Sequence, residues 1–284
     1  MAKKKPSPSR LHTESYRTLE HNLYKLAYFL GTTEQWYGKQ ARILAKQLRL
    51  AKKELPVVEI EMDRLVKRSK LSQADEKRFA ELAERVDDLT DVDIFFPTEL
   101  KLFRQFSELI RVLGLSYLVT IFEGYLVDIV REILLAHPDV LKSGRQLTAE
   151  TVLDLGGQKQ IVSYLAEREV EELLYRGFPD VVNYFDKKFN INVNASGVSA
   201  GEMVEILATR NIHVHNRGMV NRRYLESVRD SRLKVGAYKS ITREYLKDSI
   251  NSIRTLVQFI DTEVQRKYFA NQDTKKTNSI SASS

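Results

Sequence analysis

Between Ala208 and Asn221 the chain reads Ala208-Thr209-Arg210-Asn211-Ile212-His213-Val214-His215-Asn216-Arg217-Gly218-Met219-Val220-Asn221, a cation, amides and two imidazoles crowded at one spot. An imidazole titrates near neutrality and can take the proton from a ribose 2′-hydroxyl. A guanidinium grips the negative charge of a pentacoordinate phosphate in two-pronged fashion. Together these side chains could cleave RNA by intramolecular attack, a reaction that needs no metal. Arg210 and His215 lie five positions apart, about 140° around an ideal helix, whereas Asn211 with His215 and Arg210 with His213 share faces. Convergence of Arg210 and His215 therefore requires a distorted last turn or a second copy across a two-fold axis. The rival reading is structural: side chains serving a helix C-terminus, with Gly218 as the left-handed stop.

The elements that must hold these groups follow from apolar spacing. Helical periods recur almost everywhere and alternating β patterns are hard to find, so an all-α protein is expected, an antiparallel helical bundle with an N-terminal helical hairpin or arm. A helix through Tyr16, Leu19, Leu23, Leu26 and Leu30 is expected to end near Gly31, with Thr32 or Thr33 capping the next. The stripe Tyr37, Ala41, Leu44, Leu48, Ala51, Leu55, Val58, Met62 and Leu65 alternates steps of four and three, and Pro56 should split or kink it. Ser72 followed by Asp75 and Glu76 reads as a capping box. The helical period lapses at 91–97, which is taken as the boundary between an arm (11–96) and a bundle (97–270). A strongly apolar helix then runs to His137-Pro138, shorter helices cover 148–155, 158–176, 178–189 and about 200–215, and a long last one spans about 242–269. Polar, proline-broken residues 1–10 and the Lys-, Thr- and Ser-rich tail 271–284 are expected to be disordered.

Composition narrows the chemistry. The 284 residues include no Cys, which removes disulfides, thiolate zinc sites, iron–sulfur clusters and cysteine nucleophiles, and favours a reducing, cytoplasmic setting. No uninterrupted apolar run of about 18 residues exists and the basic start leads into polar residues, so neither a membrane span nor a secretory signal is expected. Residues 1–53 hold 12 Lys/Arg against 3 Asp/Glu, a net of +9, while 54–284 hold 33 against 35, a net of −2. Such a basic segment attracts polyphosphate or an anionic surface, or is simply a solvated helix face. Trp36, Tyr37, Tyr24, Tyr28 and Phe29 among Lys25, Lys39, Arg42, Lys46 and Arg49 could stack bases, or fill a helical core. His213-Val214-His215 does not make a metal pair, because alternate residues diverge by about 200° on a helix; no metal and no cofactor is expected. Arg217, Arg222 and Arg223 follow closely enough to hold flanking phosphates, and a solvated turn explains them equally well.

Arg210-Asn211-x-x-x-His215, continuing into Asn216-Arg217-Gly218-Met219-Val220-Asn221 at a helix end, resembles the R-x4-6-H signature of HEPN domains, most closely the RiboL-PSP-HEPN branch. The upstream helix Tyr117 to Leu134, with Phe122-Glu123-Gly124-Tyr125-Leu126 at its middle, is similar to the helix preceding the signature there. The resemblance covers about residues 98–268. It implies a dimeric helical bundle that cuts RNA without metal, often in antiviral defence or as a toxin, with Arg and His of both protomers facing one cleft. Carried over, His215 is the general base or acid, Arg210 the phosphate clamp, Asn211 the residue that positions the histidine, and His213 a helper outside the family spacing. Glu123 is a further candidate, against the reading of an acid tied into a bundle hydrogen bond or ion pair. RNA, a second copy of the chain, and a regulatory or defence-complex protein docking on the arm are the partners this implies. A non-catalytic HEPN-like scaffold and a nucleic-acid-binding module are the rivals.

Overall fold

The computed structural model describes residues 12–68, 70, 72–141, 146–174, 177–229 and 231–270. Among them the protein is all-α: helices α1 (Glu14–Val66), α2 (Gln73–Ala136), α3 (Ala149–Leu155), α4 (Gln158–Leu174), α5 (Phe178–Phe189), α6 (Ala200–Asn216), α7 (Arg222–Ser227) and α8 (Arg243–Val264), with one isolated antiparallel bridge between Met219 and Tyr238. The two terminal segments expected to be disordered, 1–10 and 271–284, lie outside the described residues.

Two local stop signals do not stop α1. Gly31 and Pro56 both lie inside it, and Thr32, expected as a cap, turns its hydroxyl back onto the carbonyls of Tyr28 (2.8 Å) and Phe29 (3.1 Å). An interior glycine costs about 1 kcal/mol relative to alanine and a proline about 3 kcal/mol. The apolar stripe Leu30, Tyr37, Leu44, Ala51, Val58 and Leu65 keeps one face sealed through both positions, so packing outweighs the local penalties. Likewise α2 runs unbroken through 91–97, with Pro97 inside it. Elsewhere the local signals hold. The Ser72 amide donates to Asp75 Oδ2 (3.0 Å) while the Asp75 amide donates to Ser72 Oγ (3.2 Å), and Thr242 accepts from the Tyr245 amide (3.0 Å) at the start of α8.

Contacts divide the chain into two units, one of residues 1–27 with 112–284 and one of residues 28–111. The division falls inside α1 and α2 rather than at the expected 96/97 boundary. The second unit is an antiparallel hairpin. Ala51, Val58 and Leu65 of α1 pack with Leu82 and Leu89 of α2, and its ion pairs Glu54–Arg85 and Glu61–Arg78 fix the register. The first unit is a bundle whose centre holds Leu115, Leu118, Phe122, Ile129 and Ile133 of α2 against Ile253, Leu256, Val257 and Ile260 of α8, each at most 1% exposed. α2 contains an 18-residue window long and apolar enough to cross a membrane by length and composition (mean hydropathy 1.5), and 44% of that window is buried. The start of α1 belongs to this bundle through buried Leu19 and Leu23 and through Asp261 of α8, which accepts from the Thr13 amide (3.1 Å) and hydroxyl.

Candidate functional site

α6 is placed by its own sequence. Ser199 caps it, accepting from the Glu202 amide (3.0 Å), and Met203, Ile206, Thr209 and Ile212 recur every three residues on the buried face, packed against α5, α7 and α8. That periodicity leaves Asn211, Val214 and His215 exposed. The helix stays regular to Asn216, so nothing brings Arg210 and His215 of one chain together; they remain about 140° apart. Asn211 and His215 share the exposed face, and His215 makes no hydrogen bond or ion pair among the described residues.

Arg210 points the other way, toward α2. Its side chain is 20% exposed, its Nη2 donates to Glu123 Oε1, and its buried Nε has no hydrogen-bond partner among the described residues. Glu123 is thus the ion-pair partner of Arg210, the alternative weighed for it from sequence. An apolar cavity of about 50 Å³ beside Glu123, lined by Phe122, Leu126, Phe178 and Leu207, is too small for a nucleotide.

His213, expected as a substrate-binding helper, is tied into the fold. Its Nε2 donates to the Lys239 carbonyl (2.7 Å) and its ring lies edge-on to Tyr238 (5.7 Å between centroids). It clamps a tight antiparallel pairing in which the Val220 amide donates to Ala237 (2.8 Å) and the Lys239 amide to Gly218 (2.9 Å). The left-handed stop begins one residue earlier than expected, with Arg217 at φ 53° followed by Gly218 at φ 76°, and both amides donate to the Ile212 carbonyl. Arg217, Arg222 and Arg223 are exposed on this turn and the first turn of α7.

One polar centre here carries no motif. Glu205 accepts from Thr209 Oγ1 (3.0 Å), Tyr224 OH (3.2 Å), Tyr245 OH (2.7 Å) and Lys239 Nζ (2.7 Å). Burial works to raise its carboxyl, and the Lys239 ammonium with the Tyr245 and Thr209 hydroxyls overrides it, holding Glu205 below the usual carboxylate range. Burial and the Glu205 charge push the Tyr224 phenol up to about 12 and Tyr245 well above its ordinary value. Beside this centre a cavity of about 560 Å³ opens between the start of α6, α7 and the following loop, with Arg229 and Arg232 among its lining. No group of three or more His, Cys, Asp or Glu that could hold a metal occurs among the described residues. Comparison with protein-family models, with curated proteins and with solved structures returns no match to this chain.

Proposed function

We propose that the protein is a metal-independent endoribonuclease of HEPN type, acting at the end of α6. The observation that carries this reading is the uncommitted, exposed imidazole of His215 beside Asn211, on the helix whose Arg210 is presented by Glu123. In this reading His215 takes the proton from a 2′-hydroxyl as that oxygen attacks the adjacent phosphorus. A guanidinium balances the extra charge of the phosphorane, and the 5′-oxygen leaves with a proton, giving a 2′,3′-cyclic phosphate and a 5′-hydroxyl. Arg210 is that guanidinium, positioned by Glu123, and exposed Arg217, Arg222 and Arg223 hold flanking phosphates. Because α6 is regular, Arg210 and His215 act together only across two copies, so the active form is a homodimer. The scaffold reading is favoured by one observation, the Arg210–Glu123 pair, which by itself ties α6 to α2.

Incubation of purified protein with mixed labelled RNA in EDTA separates the two. Cleavage that survives chelation, leaves cyclic or 3′-phosphate ends and disappears in both Arg210→Ala and His215→Ala supports the nuclease. Wild-type protein that leaves RNA intact, or cleavage unchanged in the variants, overturns it.

A further inference from the structure

Within the hairpin unit, Phe29, Trp36, Ile43, Leu50 and Val57 of α1 recur every seven residues and are 41–63% exposed. Phe95, Leu102 and Leu109 of α2 repeat the same spacing at 43–59% exposure. Each stands one position before a residue of the hairpin's interior, Leu30, Tyr37, Leu44, Ala51 and Val58 on α1 and Phe96, Phe103 and Ile110 on α2. One step back is 100° around a helix, and because the two helices run antiparallel, that step turns both stripes to the same flank. The register set by Glu54–Arg85, Glu61–Arg78 and the Trp36–Phe103 contact (6.2 Å) lays Ile43 level with Phe95, Trp36 with Leu102 and Phe29 with Leu109. Three apolar rungs thus cross one side of the hairpin. Singly exposed apolar residues are ordinary, but a contiguous patch of this kind marks an interaction surface.

Charge says what covers it. On the outer edge of the α1 stripe stand exposed Lys39, Lys46 and Lys53, while α2 carries exposed Glu84, Asp87, Asp88 and Asp91. A two-fold axis parallel to the helices would lay α1 of one copy on α2 of another. That sets rungs on rungs and brings Lys46 and Lys53 beside the partner subunit's Asp88 and the partner subunit's Asp91. The perpendicular two-fold would lay α1 on α1 and α2 on α2, which keeps these lysines away from the acids of α2. Six half-exposed side chains, at roughly 150–250 Å² each when fully exposed, present on the order of 600 Å², close to the roughly 800 Å² per partner of a stable interface.

We propose that this flank is a homotypic docking surface through which two hairpins pack side by side. The proposal does not rest on the nuclease reading, since none of its residues lies in the bundle unit. Trp36 is the one tryptophan in the chain and sits on the middle rung, so it reports on this contact directly. The test is sedimentation equilibrium and tryptophan emission on the full chain, wild type and Phe95→Glu, over a dilution series. In wild type, emission shifts to the red on the same dilution curve that carries the mass from dimer to monomer. In Phe95→Glu the midpoint moves at least 100-fold to higher concentration with the circular dichroism unchanged. A chain that associates with emission independent of concentration, and no different in Phe95→Glu, overturns the proposal. So does a monomer whose Trp36 emission moves only when single-stranded RNA is added, which would make the flank a base-stacking face.

Discussion

Replacing Glu205 by alanine removes the common acceptor of the Thr209, Tyr224 and Tyr245 hydroxyls and the counterion of Lys239. Breaking a buried pair from one side costs about 3–5 kcal/mol, because the partner is left without compensation. The Lys239 side chain is 22% exposed and water can reach it, which places the expected loss near the lower limit, about 3 kcal/mol. Glu205→Gln keeps an acceptor and the shape but not the charge, and is expected to cost about 1–2 kcal/mol. The native carboxyl is held below its unfolded value, so its contribution is complete above the unfolded pKa of about 4.3 and is lost as pH falls through the lower, native one. Urea unfolding followed by far-ultraviolet circular dichroism, at several pH values from neutrality to 3, measures both effects. The gap between wild type and Glu205→Gln should be constant near neutral pH and close on acidification. A gap that stays constant to pH 3, or a Glu205→Ala variant within about 0.5 kcal/mol of wild type, would refute the assignment of this centre as a charged anchor.

Gly218→Ala places a methyl group 2.5 Å from Tyr238 Cε2 and 2.8 Å from His213 Cε1 at φ 76°, and is expected to lower stability by about 1–3 kcal/mol, read as a drop in thermal midpoint. Pro56→Ala restores an interior helix hydrogen bond and should stabilise the hairpin by up to about 3 kcal/mol, less whatever local bending already relieves; Trp36 fluorescence, from the same unit, reads that transition directly. An unchanged midpoint in either variant would show that these backbone positions carry no strain.

How much of this was legible in the sequence depends on the distance over which each decision is taken. α5 starts and ends where its apolar spacing places it, at Phe178 and Phe189, and the Ser72–Asp75 box forms as written, because both are settled within one or two turns. Gly31 and the lapse at 91–97 misled because their penalties are local, whereas the stripes that override them extend over whole helices. The Arg210–Glu123 pair spans 87 positions, and only the types of the two residues hinted at it. Glu205 carried no motif, since apart from Thr209 one turn on its partners lie 19, 34 and 40 positions away on other elements. His213 looked chemical from its neighbours and proves to be a clamp, because the loop that takes it up returns 26 residues later. The exposed flank of the hairpin was readable in part, as aromatics among cations, but its two-sided character needed the antiparallel register.

The proton transfer proposed for His215 is read from the ratio of RNA cleavage rates of wild type to His215→Ala in EDTA, with RNA affinity measured alongside. General acid–base catalysis contributes about 10²–10⁴ in rate, so the ratio should lie in that range or above while affinity changes little. Equal cleavage rates in the two proteins would exclude His215 as the group that moves the proton.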